Sequence, residues 1–398
     1  MSKIDFMSLK TIDFCDDVRD GTHDSPKHLD SGKLLITSKN IKGDSIDFEN
    51  ASYISEEDYN KINERSLVEI NDVLYSMIGT VGLVYRVDQQ PNYAIKNMGL
   101  FKIHDELKSK WLYYYLNSPK AKGKVLSMLS GSTQKFISLS NLRNLEIEFP
   151  QNIDDAKRII KICESIDKKI KLNNKINNNL EEQLRLLFEE NILKKLDDEN
   201  TYECSLYDQF DVIDNRGKTP PLVEYSKYPI IDVKVLSGTE RVINYNNCLK
   251  YVDKETYDTF FRSGHPKLYD TLLSTVGSLA ELKIYLENIG TIAQNVVALR
   301  PKNDYPLFMY QYILSLRQRL TSYDIGSVQP SIKVTQFMKE IIKMPKDKEL
   351  IYKFENLAKA NTLKMENLMK ENRYLEQLRD RLLPKLMNGE IELENIEI

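Results

Sequence analysis

Between Leu107 and Asn144 the chain carries seven cations (Lys108, Lys110, Lys120, Lys122, Lys124, Lys135 and Arg143) and no acidic residue, interleaved with Trp111, Tyr113, Tyr114 and Tyr115. Ammonium and guanidinium groups gathered in this way suit phosphate oxygens, and DNA phosphate contact is the expected use of Lys120, Lys122, Lys124 and Lys135. The stretch Tyr305–Lys339 repeats the theme, setting Arg317, Arg319, Lys333 and Lys339 against Asp324 among Tyr310, Tyr312 and Tyr323. Tyr114 and Tyr312 fall on apolar helical spacing and are expected in the core. A loop of small residues and amides closes each stretch, Gly131–Phe136 and Gly326–Ser331. Small residues admit close approach of a ligand to the backbone, and a glutamine amide can bond adenine N6 and N7 together, so Gln134 and Gln329 suit base reading, and Ser331 is expected to bind DNA beside Gln329. Three more loops complete the expected DNA-binding set: Ser38, Lys39 and Asn40, with Lys234 in the other half; Thr80, answered by Ser278; and Lys96-Asn97, answered by Gln294-Asn295, of which Gln294 is assigned to DNA while Asn97 and Asn295 are expected to hold a turn.

Chemistry of other kinds is sparse. The sequence holds no phosphate-binding GxxxxGK[ST], no GxGxxG after a strand, no HExxH and no paired Cys/His spacing. His23, His28, His104 and His265 are scattered, and His23 and His28 read as surface-loop histidines. Cys15, Cys163, Cys204 and Cys248 stand singly, which proposes buried reduced thiols rather than zinc or a disulfide framework. No catalytic residue and no metal site is expected. With 398 residues, 29% charged, and a net charge of −3, the chain reads as cytoplasmic, with no leader and no membrane span. Because no segment is a basic tail, any DNA contact must come from a structured surface that gathers charge.

The elements that must build such a surface occur twice. Tyr53-Ile-Ser-Glu-Glu-Asp-Tyr59 returns as Tyr251-Val-Asp-Lys-Glu-Thr-Tyr257, and Asp72, Leu74, Ser76, Gly79 and Asn97 return as Asp270, Leu272, Ser274, Gly277 and Asn295, all at an offset of 198. Ile137 and Pro150 answer Ile332 and Pro345 at 195, and Glu182–Arg185 answers Glu376–Arg379 at 194. So small a drift means one fold used twice with loop indels. Each half pairs a mixed segment with a long charged helix. Strands are expected at Lys33–Thr37, Val73–Met77, Gly82–Val87, Tyr228–Val235 and Thr291–Leu299, and short helices at Ser109–Asn117 and Leu307–Leu320. This gives an α+β class with two duplicated globular domains, residues 1–150 and 199–345, separated by long helices in 151–198 and 346–390 and followed by a tail, 391–398.

In the first helix the 4-3 seam is Ile159, Cys163, Ile166, Ile170, Asn173, Asn177, Leu180, Leu184 and Leu187. In the second it is Leu350, Phe354, Leu357, Asn361, Lys364, Leu368, Glu371, Leu375, Leu378 and Leu382. These seams predict an antiparallel coiled coil, with polar residues at mid-length that fix register at a cost in stability. Pro384 and Asn388-Gly389 are expected to end the second helix.

This doubled plan, with the ending GSTQKFISLSNLRNLEIEFP on the first domain and EQLRDRLLPKLMNGEIEL near the C-terminus, resembles the specificity subunit of type I restriction-modification systems. The resemblance implies two target-recognition domains, each reading one half of a split double-stranded DNA sequence, with the helices setting the gap. It also implies two partner modification subunits that carry S-adenosylmethionine and methylate adenine, and restriction subunits that use ATP and Mg. No cofactor is then expected on this chain. The competing reading is a duplicated coiled-coil scaffold or adaptor that binds proteins only.

Overall fold

A computed structural model describes residues 4–131, 134–197, 199–324 and 330–390. The chain divides into two compact units, residues 1–168 with 375–398, and residues 169–374. Each unit holds one globular domain and a part of each long helix, Ile153–Asn191 and Lys348–Met387. Among the described residues no helix is long and apolar enough to cross a membrane.

In the first unit a four-stranded antiparallel sheet runs in the order Asp17–Asp20, Met98–Lys102, Val73–Ser76, Val84–Arg86. Side chains alternate across a strand, and here both faces are buried. Val73, Tyr75 and Phe101 join a core with Trp111 and Tyr115, while Leu74, Met98 and Leu100 join another with Ile36 and Ile95. That second core lies under a three-stranded sheet, Ser52–Ile54, Lys33–Ile36, Tyr93–Ile95, whose last pair is parallel. Phe6–Lys10 pairs with Glu146–Pro150, leading the chain into the first long helix. Trp111, fully buried, donates its indole N–H to the Glu148 carbonyl at 2.7 Å and so fixes the helix Glu106–Asn117 against that strand.

The second unit repeats the four-stranded sheet and the closing pair, with a two-stranded parallel pair where the first has three strands. Its four-stranded sheet is Phe210–Asp214, Val296–Pro301, Thr271–Ser274, Leu282–Ile284, with Leu273, Val297 and Leu299 on one core face and Leu272, Val296 and Ala298 on the other. Ile230–Ile231 pairs in parallel with Thr291–Ile292, and Thr201–Ser205 closes on Ile341–Pro345. The duplication reaches single hydrogen bonds. Ser76 Oγ donates to Thr80 O and accepts from Leu83 N, and Ser274 Oγ does the same with Ser278 O and Glu281 N. Buried Asp72 holds Lys102 at 2.7 Å where buried Asp270 holds Arg300 at 2.8 Å.

Several expectations change at element ends. Tyr228–Val235 is not one strand: Ile230–Ile231 is followed by a helical turn, Val233–Leu236, because Asp232 caps it by accepting from Lys234 N. Thr291–Leu299 splits at the turn after Ile292, and Leu307–Leu320 is two helices, Pro306–Ser315 and Arg317–Thr321. Pro384 does not end the second long helix, which runs to Met387. Its ring forfeits only the helix bond to the carbonyl of Asp380, an exposed residue. The stop is Gly389 at φ +66°, where Gly389 N–H bonds Leu386 O and Glu390 N–H bonds Lys385 O.

The first helix buries its expected seam, including Ile159, Cys163, Ile166, Asn173, Asn177 and Leu184. The second buries a stripe displaced by one residue, Ile351, Phe354, Ala358, Thr362, Met365, Met369 and Asn372, leaving Leu357 and Lys364 exposed. The leucines made the louder pattern, but small and flexible residues make the contact. In the second unit the helices run antiparallel: Asn173 Nδ2 donates to Glu371 Oε2 at 2.8 Å and Asn372 Oδ1 at 2.9 Å, and Asn372 Nδ2 donates to Asn174 Oδ1 at 2.7 Å. In the first unit Arg379 binds Asp167 at 3.0 Å, and Leu383 and Leu386 pack with Ile159 and Cys163.

Candidate nucleic-acid interface

Separated segments of the first domain meet around a cavity of about 500 Å³, and four of them supply most of its wall. Thr37, Ser38 and Lys39 come from the turn after Lys33–Ile36, Ile78, Gly79 and Thr80 from the turn after Val73–Ser76, Lys96 and Asn97 from the link between Tyr93–Ile95 and Met98–Lys102, and Gln134 from the small-residue loop. Local chemistry sets each one. Gly79 adopts φ +79°, in the left-handed region that glycine tolerates. Gly131 is required by space: a Cβ there would sit 2.3 Å from Gln134 O. Phe136 bridges to Ile78, and Ile137 N–H bonds Met77 O at 3.0 Å, which lays the Gln134 loop along the Gly79 turn.

The cavity therefore gathers Ser38, Lys39, Thr80 and Gln134 from the expected set. Lys39, Thr80 and Gln134 are exposed, and among the described residues Lys39 has no ion-pair partner. Lys135 is exposed next to Gln134, and Lys122 is exposed on the helix Pro119–Ser127. In the second domain Gly277 N–H bonds Pro330 O, and Val276 bridges to Ser331, so the Ser278 turn and the Ser331 segment meet as their first-domain counterparts do. Ser331 N–H is engaged by Asp324 Oδ1 at 2.8 Å, and Gln294 Nε2 donates to Thr219 Oγ1 at 3.1 Å. Lys234 and Lys333 are exposed, while Gln329 lies outside the described residues.

Other assignments need correction. Asn40 is 5% exposed, its Oδ1 accepting from Thr37 N and Oγ1 and its Nδ2 donating to Asp47 O and Asn50 O, so its amide is consumed by its own loop. The acid-free run of the sequence meets acids in space. Lys120 Nζ is 2.5 Å from Glu148, Lys124 donates to Tyr115 OH and Glu146 O, and Lys110 pairs with Glu106 and Glu164. Arg317 is 2.9 Å from Glu281, and Arg319 pairs with Glu340. Linear charge density misled because the closing strands Glu146–Pro150 and Ile341–Pro345 and their neighbours bring carboxylates across the fold.

Sequence reasoning missed Lys96, Asn97 and His28 as cavity residues. The pairing of Lys96-Asn97 with Gln294-Asn295 had singled out the first two, with Asn97 expected to hold a turn, whereas His28 read as a surface-loop histidine. His23, read as a plain loop histidine, bonds Asn97 Oδ1 through Nδ1 and Asp20 Oδ2 through Nε2, both at 2.9 Å. Those two bonds, the Asn97 one foremost, hold its pKa above the usual histidine value. Among the described residues no cluster of His, Cys, Asp and Glu could hold a metal ion, and the four cysteines are free, three buried and Cys204 half-buried.

Fold and sequence together define a duplicated α+β protein with two long helices. Residues 24–182 match the family described as the type I restriction modification DNA specificity domain. Among solved structures, the type I restriction-modification S subunit from M. genitalium shares the fold over 97% of each chain, at 18% identity and a TM-score of 0.53. A structure of type I R-M complex assembly and conformational transition aligns over 98% of this chain and 100% of that one (13% identity, TM-score 0.43). The HsdS subunit from Thermoanaerobacter tengcongensis aligns over 97% of each (14% identity, TM-score 0.35).

Proposed function

We propose that each domain reads one half of a split duplex target through its loop cluster, the first around the Thr80–Gln134 cavity and the second around Ser278 and Ser331. The observation that carries this is the convergence of distant segments on one cavity whose wall offers ammonium groups, hydroxyls and amides, the groups that bond phosphates and base edges. Differences between the two clusters, such as Lys96-Asn97 against Gln294-Asn295, supply different half-sites. The long helices set the spacing between half-sites and dock two modification subunits. Those partners bring S-adenosylmethionine and adenine methylation, restriction subunits bring ATP and Mg, and this chain contributes recognition without catalysis.

Exchange of residues 203–344 for the equivalent domain of a relative, followed by mapping of methylated adenines in cells expressing the whole system, tests the modular reading. One half of the motif should change while the other half and the spacer persist. Change in both halves would overturn it.

A further inference from the structure

His23 stands between a carboxylate and an amide, and both atoms it meets are oxygens: Asp20 Oδ2 and Asn97 Oδ1, each at 2.9 Å. Only an imidazolium has an N–H for both. Asp20, 4% exposed, is held from the other side by Arg65, so it remains an acceptor fixed in place. Asn97 is equally constrained: its backbone sits at φ +55°, its N–H bonds Thr22 O, and its side chain lines the reading cavity. With Oδ1 taken by His23, Asn97 Nδ2 donates to no acceptor among the described residues.

We propose that His23 is a positioning residue that decides which end of the Asn97 amide faces the DNA. With His23 protonated, Asn97 Oδ1 is drawn to Nδ1 and Nδ2–H is offered to the cavity, a donor that selects an acceptor edge such as guanine O6 or N7. When His23 loses its proton, Nε2–H stays on Asp20 and Nδ1 becomes an acceptor. The amide then turns by half a rotation, gives Nδ2–H to Nδ1 and offers Oδ1 to the cavity, which selects a donor edge such as cytosine N4. The charged groups facing this pair are Asp20, Arg65, Asp58 and Lys61 from neighbouring elements, Asp24 and Lys27 from its own loop, and Lys96 beside Asn97. The raised pKa places the switch above an ordinary histidine. The second domain is wired differently, since Asn295 Oδ1 is buried without a hydrogen-bond partner and Gly217, not histidine, follows its Asp214 strand by three residues.

The inference rests on the cavity being a DNA reader, and the test separates the two. The full chain, assembled with its modification partner, is titrated with duplexes in which each base pair of the mapped first half-site is changed in turn, at about pH 6 and about pH 8.5, on either side of the imidazole range. Wild type should show one position where preference between acceptor and donor edges shifts by about tenfold with pH. His23→Gln, which donates without titrating, should hold one preference at both pH values. Asn97→Asp, which offers only oxygens, should keep the high-pH preference throughout and decides the matter if His23→Gln fails to fold. A pH shift that survives both changes, or is absent from wild type, overturns the inference. If Thr80→Ala and Gln134→Ala alter discrimination while the His23 and Asn97 variants do not, only this inference falls; if none of the four does, the cavity reading falls with it.

Discussion

Arg241 lies wholly out of solvent and grips Glu181 of the first long helix through two nitrogens, Nε at 2.6 Å and Nη2 at 2.9 Å. Its remaining bonds reach Thr362 Oγ1 on the second long helix and Gln311 Oε1 on the helix Pro306–Ser315. One guanidinium thus ties three helices of the second unit together, over the face of Tyr310 at 5.1 Å. Arg241→Ala should cost about 3–5 kcal/mol, because a carboxylate and an amide are left without their partner in a desolvated place. Urea unfolding of the full chain checks this, and a loss under about 1 kcal/mol would show that the pair contributes little.

Glu355 is buried where its carboxylate accepts from Phe308 N–H at 2.7 Å. Burial wins over that bond and pushes its pKa up to about 7 from an ordinary 4.5. The folded form therefore holds a proton that the unfolded form has lost between those two values, and stability falls as pH rises through that window. Glu355→Gln keeps the acceptor without the charge, so it should gain on the order of 2 kcal/mol over wild type at high pH and little near pH 5. Melting curves across the window check the sign.

The Asn173–Asn372 layer predicts opposite outcomes for single and double changes. Asn372→Leu alone takes one of two partners from buried Asn173, leaving Glu371, and should lower the melting temperature by the equivalent of about 1 kcal/mol. Asn173→Leu with Asn372→Leu replaces most of the polar layer by apolar packing and should recover that loss or exceed it. A double variant less stable than the single one would mean that the layer stabilises rather than specifies the pairing.

Lysines 39 and 120 should behave differently on DNA although both were equal candidates in the sequence. Lys39 borders the cavity without an ion pair among the described residues, so Lys39→Ala should weaken binding to every duplex and reduce the salt slope by about one unit. Lys120 is neutralised by Glu148, and Lys120→Ala should leave the slope unchanged. Binding of the assembled complex at several salt concentrations separates them.

The repeat, the α+β class and the first helix's seam were legible because they depend on order and local pattern. Matched residues at a constant offset imply matched folds, and a 4-3 stripe with Asn173 and Asn177 in it buries that face. What only the tertiary structure decided depends on pairs far apart in the chain. Glu148 reaches Lys120 because two elements close on each other; Asn40 is spent on the carbonyls of Asp47 and Asn50; the second helix turns Ile351 and Thr362 inward instead of Leu357 and Lys364. His23 shows the same limit, since a histidine's role follows from its two partners. One of those, Asn97, lies 74 residues away along the chain. A one-dimensional pattern records which groups exist and how often they recur, whereas charge neutralisation and hydrogen-bond satisfaction are set by distances that folding alone fixes.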